Sequence, residues 1–314
     1  MVLRSVVVIL MLFAGTSSSL LSQSDGSPFV EWKRLAEHAP FPPSYNFSLF
    51  SIRDTLWAMH PQGTWFSPDG ISWQRSGLEY IIRNDAFLDF VLFNGKLYGL
   101  GTFIGNIERY QLTTAINATA DMRTWTTISR ESELPKRFFY HPFVFRDMIW
   151  IIGGSDGVNE FSDVWTSSDA VHWTKIAEDL PFGKRSGDRF VVFRDTVYML
   201  GNDVWVSADG VRWTKRMDRI AREDLFGYSA VVYDNAIWLI GCNRNQSFTS
   251  EVIVSRDGRT WTSQRAPWSP RGGVAACTHR NRIVMTGGKY GGFRNGSSET
   301  EFIYSNDVWM MEMK

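Results

Sequence analysis

The amino-acid sequence predicts an all-β protein, a six-bladed β-propeller of four-stranded antiparallel blades. Three observations carry this reading: one hairpin pattern recurs six times, a Trp-bearing turn recurs beside it, and the two chain ends complement each other. The hairpin is an apolar run, a two-residue polar turn and an apolar–aromatic run that mostly closes on Gly. Its copies run from Phe50 to His60, Val91 to Gly101, Phe143 to Gly154, Val191 to Gly201, Val231 to Gly241 and Cys277 to Gly288. The turn has the form Ser-x-Asp-Gly-x-x-Trp. It reads SPDGISW (Ser67 to Trp73), SSDAVHW (Ser167 to Trp173), SADGVRW (Ser207 to Trp213) and SRDGRTW (Ser255 to Trp261), with a degenerate copy from Thr119 to Trp125. Its Trp residues recur every 40 to 52 positions, the spacing of propeller blades at roughly 40–50 residues.

Each hairpin supplies the two inner strands of a blade. The runs are apolar throughout instead of alternating, so both faces are expected to be covered, as in a sheet sandwiched between two others. Turns such as Asn94-Gly95 and Asp234-Asn235 favour positive φ and fit two-residue hairpins. The Trp-bearing turn then joins the third and fourth strands. Its Asp bonds the backbone two residues on, its Gly takes the left-handed position and its Trp packs between blades. These aspartates are read as turn chemistry, not catalysis. The last copy ends in SNDVWMMEMK (Ser305 to Lys314) with no Trp turn after it, while Val30 to Leu35 near the N-terminus, with Trp32, is otherwise unassigned. The strand around Trp32 is therefore expected to complete the last blade, beside the strand that carries Trp309, and so to close the ring.

The chain has 314 residues, 44% hydrophobic and 21% charged, which suits a folded repeat protein and not a disordered one. Lys plus Arg and Asp plus Glu are both 33, so a globally basic nucleic-acid binder is excluded. Arg4 precedes the apolar run Val6 to Ala14, and the small and polar residues Gly15 to Ser19 follow. These are the parts of a secretory signal peptide, and the run covers only about half of a ~30 Å hydrocarbon core. Residues 1–22 are expected to be a cleaved signal peptide, 23–29 a short linker and 30–314 one propeller, secreted or extracytoplasmic and with no membrane span. The alternative is an uncleaved leader that anchors the chain to a membrane. Sequons stand at Asn46, Asn117, Asn245 and Asn295; Asn46, Asn245 and Asn295 are glycosylation candidates. Asn117 falls where Trp165 and Trp205 fall in other blades, so it is expected to be at least half-buried and free of glycan. The two cysteines, Cys242 and Cys277, allow one disulfide at most; a bridge and two separate thiols both remain open.

The diglycines Gly153-Gly154 and Gly287-Gly288, the hairpin pattern and the Trp spacing together resemble the kelch repeats of the galactose oxidase central-domain superfamily, over about Val30 to Lys314. Two blades keep the diglycine, and Cys242 stands at its second position in blade five. The resemblance implies that the loops leading into the inner strands share one face with the loops after the second strands, around the central channel. It thereby places Arg83, Arg137, Arg185, Arg222 and Arg271 near one mouth. Arg137, Arg185 and Arg271 each lie eight residues before the residue that opens the hairpin turn (Phe145, Phe193, His279), and blade one has Ser44 there. Guanidiniums around a narrow opening favour anions and bind carboxylates bidentately. Tyr290 and Arg294, in the Gly-rich segment Lys289 to Thr300, join the candidate ligand-binding set, as a lid or as a plain surface loop. Tyr140 and His141 are an acid–base candidate, with packing as the expected role.

The leading expectation is a non-catalytic recognition module for an anionic glycan or acidic protein segment, monomeric and without cofactor or metal. An enzyme acting on acidic sugars, sialic acid mutarotase-like or sialidase-like, is the alternative. The arginine triad, Tyr–Glu nucleophile and acid Asp that sialidases need have no clear placement. The copper site of galactose oxidase needs His ligands and a Tyr–Cys cross-link, and the five His here fall in unrelated repeat positions. A third reading is a structural or adhesive protein whose arginines are paired with acids such as Glu133, Asp188, Asp224 or Asp85.

Overall fold

A computed structural model describes residues 22–23, 30–45, 47–60, 62–77, 86–106, 109–244, 247–293 and 300–313. The leader, most of the linker, Asn46, Arg83, Asn245, Arg294 and Asn295 lie outside these residues.

Six antiparallel sheets, each built on four strands, are arranged as a six-bladed propeller. The hairpin copies form the first two strands of each blade; in blade four they are Arg189–Phe193 and Thr196–Leu200, followed by Val204–Ser207 and Thr214–Met217. The hairpin turns adopt positive φ at both central residues, for example 45° at Asp234 and 53° at Asn235, the mirror-image turn that matches strand twist. The first strands of successive blades neighbour one another around the axis.

The Trp turns form as their residue types require. In blade one Ser67 Oγ accepts from the Gly70 N–H, Asp69 accepts from the Ile71 and Ser72 N–H groups, and the Trp73 indole donates to the Gly70 carbonyl. The same set recurs around Asp169, Asp209 and Asp257, except that no indole bond forms at Trp261. The left-handed residue is also where blades touch. A Cβ on Gly210 (φ +78°) would lie 2.3 Å from the Trp150 ring of the preceding blade, and one on Gly258 (φ +69°) 2.3 Å from Tyr198. Only Gly meets both demands there, the φ and the close approach. Blade three has Ala170 at φ 68°.

Closure occurs where the complementary ends predict. Val30–Ala36 pairs antiparallel with Val308–Met313, with Trp32 opposite Met311 and Arg34 opposite Trp309. Trp32 is buried and meets Trp268 edge-on at 4.3 Å. Three second strands run on past the blade and pair with added strands. These are Lys96–Asn106 with Arg109–Leu112, Ala236–Arg244 with Leu225–Phe226, and Arg282–Phe293 with Thr300–Tyr304; in blade five the third strand, Ser247–Ser255, is lengthened to match. The Gly-rich segment Lys289 to Thr300, expected as a lid or a plain surface loop, is therefore a β-ribbon over its described part. Trp32→Ala is expected to lower unfolding free energy by about 3–5 kcal/mol in urea titrations, the range for deleting a buried Trp side chain. Ile71→Ala, at an exposed turn tip, should change it by less than ~0.5 kcal/mol.

Candidate functional site

The inner strands share one register, so one repeat position faces the axis in every blade. Four residues before the hairpin turn opens, the ring reads Ser48, Asp89, His141, Arg189, Ser229 and Ala275. Ladder partners confirm the equivalence: Ser48 opposes Met59, Asp89 Leu100, Arg189 Leu200, Ser229 Ile240 and Ala275 Thr286. All six line one cavity of about 440 Å³ in the central channel, with Phe50, Phe103, Phe138, Phe139 and Phe190 among its other walls. The three ionisable members are contiguous, on blades two, three and four.

Their environment changes their chemistry. Burial lifts the Asp89 carboxyl to about 7, against the opposing pull of Arg189. Burial, and then Arg189, hold the His141 imidazole well below its usual range, so it is neutral at physiological pH. Burial also lowers Arg189, opposed by Tyr228, Asp89 and Asp188. His141 Nδ1 stands 3.9 Å from Asp89 Oδ1, with side chains 30% and 23% exposed. This is beyond direct hydrogen bonding and within reach of a bridging ligand group. Arg189 Nε donates to the Tyr228 carbonyl of blade five at 3.0 Å, which orients the guanidinium. The channel thus offers a cation, a carboxyl poised near neutrality, a neutral imidazole and two hydroxyls between aromatic walls.

The expected arginine collar is a different object. Arg137 is 1% exposed and binds both oxygens of Asp163, at 2.7 and 3.0 Å, and the Gly153 carbonyl. Arg271, equally buried, holds Asp307 and the Gly287 carbonyl in the same way. Arg185 pairs with Asp203 at 2.9 Å and with the Phe182 carbonyl, and lies 3.7 Å from Asp188. Each of these aspartates opens an Asp-Val-Trp strand and accepts from the indole two residues on, Trp165, Trp205 or Trp309. Burial alone would raise Asp163 and Asp203, but Arg and indole outweigh it and leave both below the usual carboxylate range. The three arginines are clamps between the loop entering a blade and its third strand; the heads of Arg137 and Arg271 are buried on these partners, and Arg185 is a looser version, 25% exposed.

The other candidates separate as well. Arg222 is exposed, and its neighbour Asp224 pairs with Arg219. Glu133 accepts from the Trp173 N–H. Tyr290 is half-buried in a ribbon opposite Ile303 and is not part of the channel wall. Tyr140 is buried with its hydroxyl toward the Gly101 carbonyl at 3.4 Å, so of the Tyr–His pair only His141 reaches the channel. No disulfide joins Cys242 and Cys277, and burial pushes the Cys277 thiol up to about 12. Asn117 is 3% exposed and accepts from the Thr127 hydroxyl at 2.8 Å, a buried position as its alignment with Trp165 implies.

No family model matches the chain, and no curated protein matches it. Among solved structures, that of YjhT aligns with a TM-score of 0.69 at 12% identity, over 87% of this chain and 96% of that one. The two chains share the propeller fold. At this identity the likeness speaks to architecture alone.

Two outcomes test the division between clamp and channel. Arg137→Ala strands Asp163 and is expected to lower stability by about 3–5 kcal/mol in chemical denaturation. Asp89 works through pH. Its native pKa lies above the unfolded value of 3.8, so the native state holds the extra proton between the two values, and stability falls as pH rises from about 4 to about 7. In Asp89→Asn this contribution disappears. The loss of stability between pH 5 and pH 8 should shrink by about 2–3 kcal/mol in urea titrations at the two pH values.

Proposed function

We propose that this chain is a secreted, kelch-type recognition propeller that binds a small carboxylate-bearing ligand, such as a sugar acid or the acidic terminus of a glycan, in the central channel. The carrying observation is Arg189, a guanidinium in the channel wall whose Nε is engaged by a backbone carbonyl. That bond leaves the terminal N–H groups for a carboxylate. Asp89 supports the reading through its shifted titration. When protonated it adds a donor and removes like-charge repulsion, so binding strengthens below its value of about 7. Ser48 and Ser229 supply hydroxyls for ligand hydroxyls, and the cavity of about 440 Å³ lies within the usual size of small-molecule sites. The leader pattern of residues 1–22 supports an extracytoplasmic place of action.

A second reading is an enzyme on acidic sugars. It is favoured by one feature, the half-protonated Asp89 facing the neutral His141, which are the protonation states general acid–base transfer needs at neutral pH.

Isothermal titration calorimetry with N-acetylneuraminate, D-glucuronate and neutral D-glucose separates these outcomes. Acids are expected to bind and glucose not to bind; affinity should be higher at pH 6 than at pH 8, and Arg189→Met should lose at least about tenfold. Acid binding unchanged in Arg189→Met would remove the site assignment. Accelerated anomer exchange of a bound acid, seen by NMR and lost in His141→Gln, would move the reading to the enzyme.

A further inference from the structure

Phe139 is the one aromatic residue with positive φ among the described non-glycine residues, at φ 55°. It does not belong to a hairpin turn or a Trp turn, where nearly all of the others sit. A bulky residue is rarely held there, and such strain concentrates at ligand sites. Its two neighbours go the other way. Phe138 and Tyr140 are buried, Phe138 against Phe103 and Tyr110. The Phe139 carbonyl accepts from the Gly187 N–H of blade four at 2.7 Å, which fixes the turned backbone. The ring is left 46% exposed on the cavity wall, edge-on to Phe138 at 4.6 Å. It stands two residues before His141, and its carbonyl is tied two residues before Arg189. The loop therefore holds an exposed aromatic face, at a cost in backbone strain, beside the ionisable side of the channel.

We infer that Phe139 is the specificity-determining platform of the channel, and that it selects ligands whose carboxylate is attached to a ring. The inference rests on the channel-binding reading above. An open-chain acid satisfies Arg189 equally well but has no rigid apolar face to lay on the phenyl ring. A cyclic acid satisfies both at once, with its ring on Phe139 and its carboxylate at Arg189.

The test compares dissociation constants for D-glucuronate, which is cyclic, and D-gluconate, an open-chain acid that also carries one carboxylate, in the wild type, Phe139→Leu, Phe139→Trp and Phe139→Gly. The wild type is expected to prefer the cyclic acid, and Phe139→Leu to weaken only that acid, by roughly three- to tenfold. Phe139→Trp should keep the preference. Phe139→Gly should lose it while melting no lower than the wild type, because Gly relieves the strained φ. A cyclic-to-open ratio unchanged in Phe139→Leu overturns the platform and leaves the channel site standing. A melting temperature for Phe139→Gly well below wild type makes the ring a packing element and overturns it too. If the wild type binds neither acid, the channel reading fails and the platform with it.

Discussion

Every blade of this ring has two apolar faces, and that single constraint organises the rest. A strand such as Met148–Ile152, buried along most of its length, cannot turn either face to water. Each blade needs a neighbour on both sides, and the series ends only by meeting its own beginning. The pairing of Val30–Ala36 with Val308–Met313 is the strand-level form of that demand. The left-handed glycines of the Trp turns are its side-chain form, because Gly210 and Gly258 let the ring of the preceding blade approach to contact. The Arg–Asp–Trp clamps of blades three, four and six add a radial tie, fastening the loop at the channel to the third strand of the same blade.

A closed ring of like blades has a consequence for chemistry. Any residue that recurs at one repeat position is held by the same local forces in each blade, so recurrence marks scaffold. The axis is the place where blades differ without disturbing their packing. There the six equivalent residues are Ser, Asp, His, Arg, Ser and Ala, a set no structural rule would produce. Scaffold and site are thus separated by four residues along each inner strand, with the clamp arginine eight before the hairpin turn and the channel residue four before it.

That separation also explains what could and could not be read from the sequence. Hairpin turns, Trp turns, blade number and closure depend on interactions within about ten residues or on one long-range pairing, and both leave a pattern. The recurring arginines left a pattern too, but their partners did not. Arg137, Arg185 and Arg271 reach aspartates 26, 18 and 36 residues away, because loops of different length intervene. Pairing is open as one reading of the sequence, but of the nearby acids among the described residues only Asp188 lies beside its arginine, 3.7 Å from Arg185, while Glu133 and Asp224 are engaged elsewhere. The channel ring was available in principle from the same alignment of hairpins, by asking where the copies disagree. What no alignment shows is desolvation: Asp89 and Asp188 are both lifted to about 7 by burial, which depends on walls contributed by other blades.

The lopsidedness of the channel follows from the same physics. One charged residue alone in a narrow, aromatic-walled cavity would be heavily destabilised, and six like charges more so. Placing Asp89, His141 and Arg189 on adjacent blades lets each moderate the next. Arg189 keeps Asp89 from rising further, burial and then Arg189 leave His141 neutral, and the Tyr228 carbonyl steadies Arg189 from the far side. The opposite wall, with Ala275 and Val274, carries no charge at all. The channel thus carries its ionisable groups on one side, beside Phe103, Phe138, Phe139 and Phe190, and only the Ser48 and Ser229 hydroxyls and hydrocarbon on the other. On the recognition reading proposed above, that asymmetry favours a ligand with one acidic edge over a symmetric one.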